Sequence, residues 1–151
     1  MKYKLALQPN KHINTWKRIS TTIFQKRWSL WNLFEKSDYD FLQLKNIIQK
    51  EYKKWFPYLS WQKIFNYRSF IIQKYWNIRL RNSEFIEIAP DTHIMKCSVL
   101  LWIIKESEIK NIKRDEVSKR WRKALEWTGI TPIKMHAPLW FWSRNDFKYK
   151  L

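Results

Sequence analysis

Two side chains stand where a fixed charge and a reactive amine could do chemistry. Asp91 follows Pro90 and opens the run Thr92–Trp102, THIMKCSVLLW. Aspartate is a strong helix N-cap, because its carboxylate accepts the unpaired N–H groups of the first turn. A carboxylate held there is fixed in place and kept ionised by the helix dipole. Lys63 stands in the first turn of a second expected helix, three residues after Ser60. That dipole favours anions, so a lysine is electrostatically misplaced there. Positive surroundings and partial desolvation would lower its pKa and free its amine as a nucleophile. Each residue also has a plain structural reading, Asp91 as the cap of a core helix and Lys63 as a solvated surface lysine.

The helix after Asp91 must position the carboxylate. Ile94, Cys97, Leu101 and Ile104 recur at steps of three or four, and Met95, Val99 and Trp102 widen that face, as a central helix requires. Cys97 falls on the apolar face and reads as a core residue. As the single cysteine it excludes an intrachain disulfide and a self-contained four-cysteine cluster or zinc site. His93 lacks Cys or His partners at metal spacing, so no metal role is assigned, and no cofactor is implied.

The charge limits the partners. Thirty Lys plus Arg stand against 13 Asp plus Glu, a formal net charge of +17. Such an excess predicts attraction to a polyanion, most simply nucleic acid, through counterion release. An anionic membrane surface or an acidic protein is the rival partner. No uninterrupted apolar run of membrane-spanning length occurs, and MKYKLALQPNKH is too short and polar for a secretory signal. The expected setting is the cytoplasm of a prokaryote, at the nucleoid.

The remaining elements read as helices in a single all-α domain over residues 1–151. Residues 1–12 read as irregular, with Pro9-Asn10 as a break. Asn14 or Thr15 then caps a helix to about Arg27, with Trp16, Ile19 and Ile23 on one face and Lys17, Arg18 and Lys26 on the other. Ser29–Glu35 is a short helix or turn. Asp40 with Gln43 forms a capping box for a helix carrying Phe41, Leu44, Ile48 and Tyr52, stopped by Pro57. Ser60 caps the helix from Trp61 to about Trp76, with an apolar stripe Ile64, Tyr67, Ile71, Tyr75 and a polar one Gln62, Asn66, Ser69, Gln73, Asn77. Asp115 caps a helix to about Trp127, with Val117, Trp121, Ala124 and Leu125 inward. Residues 137–142 form a last short helix with Leu139 and Phe141 in the core, followed by a basic tail, Arg144, Lys148 and Lys150.

Glycine and tryptophan usage is abnormal. The chain has one glycine, Gly129, and 11 tryptophans, where average usage would give about ten glycines. Several tryptophans stand where turn chemistry asks for glycine, among them Trp76 at a helix end. Two explanations stand. Either the protein uses tryptophan for core and stacking, or a UGA codon meaning glycine has been written as Trp at Trp28, Trp55, Trp61, Trp76, Trp102 and Trp127. The codons in the genomic DNA distinguish them.

Pro90-Asp91-Thr92-His93 before an apolar helix resembles the catalytic segment of the helix-hairpin-helix DNA glycosylases, the superfamily of endonuclease III and the 8-oxoguanine glycosylases. Leu59-Ser60-Trp61-Gln62-Lys63 resembles the end of that family's hairpin, L-x-G-x-G-x-K, more closely if Trp61 is read as glycine. His136-Ala137-Pro138-Leu139-Trp140-Phe141-Trp142 resembles the segment with which archaeal-type 8-oxoguanine glycosylases close the pocket. Similarity spans roughly residues 40–145, and the 28-residue interval from Lys63 to Asp91 is closer to the archaeal branch. The N-terminal part of the family domain is short here, as in a truncated chain.

The resemblance implies a base-excision DNA glycosylase acting on damaged duplex DNA as a monomer, with AP-lyase activity where the lysine serves. It implies catalysis by Asp91 and Lys63 and a phosphate contact at Ser60, Trp61 and Gln62. DNA contacts are also expected at His93 and Lys96. Trp140 and Trp142 are expected to stack on an extruded base, worth about 1–3 kcal/mol per base. The alternative is a non-catalytic, basic, nucleic-acid-binding helical domain, which needs only the charge and the helix termini.

Overall fold

A computed structural model describes residues 9–27 and 29–148. Trp28, Lys150 and residues 1–8, for which readings were given above, lie outside the described residues. Those described form seven α-helices and no strand, with one isolated bridge between Asp40 and Arg81. The protein is all-α. Among the described residues, no helix is long and apolar enough to cross a membrane.

The first helix, α1 (Pro9–Arg27), starts earlier than expected. Pro9 does not break it, because a first-turn proline lacks only an N–H that would be unpaired anyway. Ile19 and Ile23 pack inward while Trp16 is exposed. Ser29 caps α2 (Leu30–Lys36), and its Oγ accepts the Asn32 N–H at 3.0 Å. Asp40 caps α3 (Phe41–Asn46), and its Oδ1 accepts the Gln43 N–H at 2.8 Å. Here α3 widens into a π-turn at Ile47–Glu51, followed by a 3-10 turn at Lys53–Trp55. The fourth helix, α4, is Gln62–Tyr75.

Its inward face corrects the expected one. Phe65, Asn66 and Ser69 are buried, whereas Tyr67 and Tyr75 are exposed. Asn66 and Ser69 are the members of the polar stripe that turn inward, and Asn66 is held there by its Nδ2, which donates to the Glu87 carbonyl at 3.2 Å, while its Oδ1 stays unpaired. With Phe34, Phe41, Leu44, Ile48, Ile78 and Ile86, Phe65 forms the first core cluster.

Extended residues 86–91 lead to α5 (Thr92–Leu100), which packs on α7 (His136–Arg144). Together with α6 (Arg114–Leu125), these helices enclose the second cluster, Ile88, Ile94, Met95, Cys97, Ile104, Val117, Trp121 and Leu139. Cys97 Sγ donates to the Leu139 carbonyl at 3.2 Å, and burial pushes its thiol up to about 11. Position 113 rather than Asp115 occupies the α6 N-cap, Asp115 lies in its first turn, and Ala124 is exposed. Across the clusters, Ser118 Oγ donates to the Ile88 carbonyl at 3.1 Å and Arg122 pairs with Glu87 at 2.6 Å.

The end of α5 bears on the tryptophan question. The Ile103 N–H returns to the Ser98 carbonyl at 2.8 Å and the Trp102 N–H to the Val99 carbonyl at 3.0 Å. This is the Schellman closure, whose C′ position normally holds glycine. Trp102 holds it at φ +60° with its side chain 93% exposed. A left-handed L-residue costs about 1–2 kcal/mol, and an exposed indole recovers little of that by burial. Trp102→Gly is therefore expected to stabilise the fold by about 1 kcal/mol, a rise of about 2–4 °C in thermal midpoint. No rise would count against glycine at this position. None of Trp55, Trp61, Trp76 and Trp127 has a positive φ, and after α4 the left-handed position falls on Asn77.

The turn before α6 carries a pH-sensitive pair. Arg120 grips Glu108 through two bonds of 2.9 and 3.0 Å. Arg120, together with the Lys105 N–H at 2.7 Å, holds the Glu108 carboxyl down to about 2 from an ordinary 4.5. A depressed folded-state pKa gives stability that is whole above 4.5 and fades as pH falls towards 2. Arg120→Met should lower the thermal midpoint near neutral pH and flatten its fall over that acid window, as read by circular dichroism melts.

Candidate active site

Asp91 sits at the α5 N-cap as its sequence requires. Oδ1 accepts the N–H groups of His93 at 2.9 Å and Ile94 at 3.0 Å. That leaves Oδ2, which lies 3.5 Å from Lys63 Nζ. The two residues taken from separate segments thus meet, although 28 positions apart in the chain. One carboxylate oxygen is committed to structure and the other faces an amine.

Lys63 differs from its expected surroundings. Its side chain is 53% exposed and paired with a carboxylate, rather than desolvated among positive charges. An exposed pair of this kind adds little stability, about 0–1 kcal/mol. Its geometry matters more, because it sets a carboxylate oxygen that carries no helix-capping bond beside the amine.

Lys63 lines a cleft of about 430 Å³ with Ile64, Tyr67, Ala89, His136, Trp140 and Phe141 among its walls. That volume lies near the small end of ligand sites. Larger hollows of about 490 Å³ beside Gly129 and 560 Å³ beside Lys74 are more open surface grooves away from Asp91. Two helices and one extended segment shape the cleft: α4 supplies Lys63, Ile64 and Tyr67, α7 supplies Trp140 and Phe141, and Ala89 comes from the strand-like approach to Asp91.

The aromatic assignments shift by one residue. Trp140 lines the cleft, but Trp142 does not and packs edge-on against Phe147 at 4.8 Å between ring centroids. Phe141, expected in the core, is 59% exposed and lines the cleft instead. Residues two apart on a helix point about 200° apart, so Trp142 turns away from the wall that Trp140 and Phe141, about 100° apart, can both flank. The His93 ring turns towards α7. Its Nδ1 lies 3.1 Å from Ser143 Oγ and its ring meets Trp140 edge-on at 5.1 Å. The Arg144 guanidinium covers Trp140 at 4.9 Å. His93 and Arg144 therefore fix the ring that walls the cleft. Lys96 is exposed on α5.

At the head of α4, Trp61 rather than Ser60 is the N-cap, and no side chain caps it. The Ser60 and Trp61 N–H groups are already spent on the Phe56 and Tyr58 carbonyls, each at 2.9 Å. The open N–H groups thus begin at Gln62, the residue before cleft-lining Lys63, where a phosphate oxygen can be received.

Tyr67 and His136 were not assigned to a site from sequence. Tyr67 carried the mark of a core stripe, and His136 lay inside a resembling segment with no role attached. Comparison with protein-family models, curated proteins and solved structures matched none of them.

Proposed function

We propose that the chain is a base-excision DNA glycosylase with AP-lyase activity, acting on a damaged base in duplex DNA. The observation that carries this reading is the Lys63–Asp91 pair, 3.5 Å apart, in which Lys63 lines an aromatic-walled cleft and Asp91 lies behind it, outside the lining. The charge of +17 supports a polyanionic substrate. The uncapped start of α4 supports a phosphate contact beside the same cleft.

The chemistry follows from the pair. An extruded base enters the cleft, which costs a few kcal/mol of unstacking. Asp91 takes the proton of the Lys63 ammonium, and the amine lone pair forms a bond to C1′. The glycosidic C1′–N bond breaks, and its electron pair leaves with the base, which takes up a proton. Asp91 gives that proton to the departing base as the C1′–N bond breaks, so its negative charge returns while positive charge is greatest on the sugar and stabilises it. Ring opening of the aminal gives a protonated Schiff base between C1′ and Lys63. A base, Asp91 or water, then removes a C2′ proton, a C2′=C3′ bond forms, and the C3′–O bond breaks with its electron pair leaving on the phosphate, which cuts the strand.

The test is borohydride trapping on duplexes carrying oxidised guanine or other damaged bases, with base release measured in parallel. A covalent protein–DNA adduct is the expected result. No adduct and no base release from any lesion would reject the reading. Binding of undamaged duplex with a steep salt slope and no lesion preference would then identify a non-catalytic nucleic-acid-binding domain. Binding to anionic liposomes without binding to DNA would reject both.

A further inference from the structure

His136 is the anomalous group in the cleft wall. It opens α7 at 8% exposure, and its Nδ1 is buried with no hydrogen-bond partner. A buried polar atom left unpaired costs about 1–3 kcal/mol, and native folds retain few of them. The imidazole is surrounded by apolar lining, Ile64, Ala89, Ala137, Trp140 and Phe141, with the Tyr67 ring centroid 5.3 Å away. Lys63 and Arg68, the charged members of the lining, are both exposed. An aromatic cleft with an imidazole in its wall suits a flat heterocycle that carries its own donors and acceptors. Nδ1 itself has no surface open to the cleft, so the ring must turn or its cover move for that nitrogen to be met.

Resting on the glycosylase reading, we infer that His136 is the specificity-determining residue of the cleft, its imidazole hydrogen-bonding the edge of the extruded base. Burial is the main cause lowering its pKa below the ordinary 6.5; Asp91 opposes that and Lys63 adds to it. The ring is therefore neutral at physiological pH and offers one N–H donor and one lone pair. Such a group distinguishes bases by the pattern on their edge, as base-extruding enzymes do. It does not touch the sugar, so its loss alters which base is chosen more than how an abasic site is held.

The experiment uses the whole chain labelled with 15N-histidine. Three histidines are present, and the His136 resonances are those missing from His136→Phe. Three duplexes of one sequence are compared, carrying a lesion, an unmodified guanine or a base-free tetrahydrofuran at the same position. The lesion is the one released fastest, or oxidised guanine if none is released. A 2′-fluoro sugar blocks cleavage. The His136 ring signals should shift with the lesion duplex and not with the base-free one.

In parallel, His136→Phe and His136→Gln should narrow the ratio of release rates between the best and poorest lesions about tenfold, with affinity for the base-free duplex within twofold of wild type. His136→Gln keeps the assay open should the phenylalanine variant not fold. Equal response to both duplexes, or unchanged rate ratios, overturns the inference and leaves the glycosylase reading intact. A lesion-specific His136 shift without base release by the wild type supports the inference and removes the enzyme. No duplex binding at all removes both.

Discussion

If the proposed lyase chemistry holds, Lys63→Ala should abolish the borohydride adduct and strand cleavage altogether, because no other amine in the described structure lies within salt-bridge distance of Asp91. Slow base release persists, since Asp91 still stabilises charge on the sugar and water can replace the amine. The comparison that gives this weight is Lys63→Arg. Arginine keeps the positive charge and a partner for Asp91 but stays protonated, so it cannot attack C1′. Both variants should therefore lose the adduct, while Lys63→Arg retains the duplex affinity of wild type. Neither should unfold the protein, because Lys63 is 53% exposed and its pair contributes about 0–1 kcal/mol. Mass spectrometry of the trapped wild-type species should place the modification on Lys63. An adduct of full yield in Lys63→Ala, or one mapped to another lysine, would remove Lys63 from the mechanism and reduce its pairing with Asp91 to surface electrostatics.

Part of the fold written locally was legible. The caps at Asp40 and Asp91 each depend on one side chain and the two or three residues after it, and both form as expected. The burial of Ile94, Met95 and Cys97 follows from apolar spacing along one helix. Two other local readings failed, Trp61 holding the N-cap expected of Ser60 and Lys113 that expected of Asp115, and the inward helix faces depended on contacts across the chain. The inward face of α4 could not be ranked from hydropathy, because Asn66 is buried through the Glu87 carbonyl, 21 residues away. Pro9 read as a break because proline is also the residue that begins helices, and the pattern around it does not distinguish the two.

The site divides in the same way. Spacing alone marks Asp91 as a fixed carboxylate but says nothing of what faces its second oxygen. The family resemblance supplied Lys63 as its partner, and the 3.5 Å distance is what the fold adds. The aromatic wall was placed one residue out, Trp142 for Phe141, because α7 is apolar around most of its circumference and its rotation is set by packing on α5. His136 escaped notice for a physical reason. A histidine ahead of an apolar helix has no periodic signature, and only its buried, unpartnered nitrogen distinguishes it.

Asp91 carries two duties, and substitutions at this position separate them. As an N-cap its Oδ1 serves the His93 and Ile94 N–H groups, while its Oδ2 faces Lys63 and in the proposed reaction would also serve the sugar. Asparagine caps a helix about as well as aspartate, whereas alanine costs about 1 kcal/mol. Asp91→Asn should therefore melt within about a degree of wild type, and Asp91→Ala about 2–4 °C lower. Both should lose base release by about 10²–10³-fold, the usual effect of removing a preorganised charge-stabilising group. Each also leaves Lys63 without a proton acceptor, so trapping on a duplex with a preformed abasic site should fall less than base release, that aldehyde needing no leaving base. If Asp91→Asn releases base within twofold of wild type while Asp91→Ala is merely less stable, the carboxylate is a cap and nothing more, and an amine without its acid cannot sustain the repair chemistry.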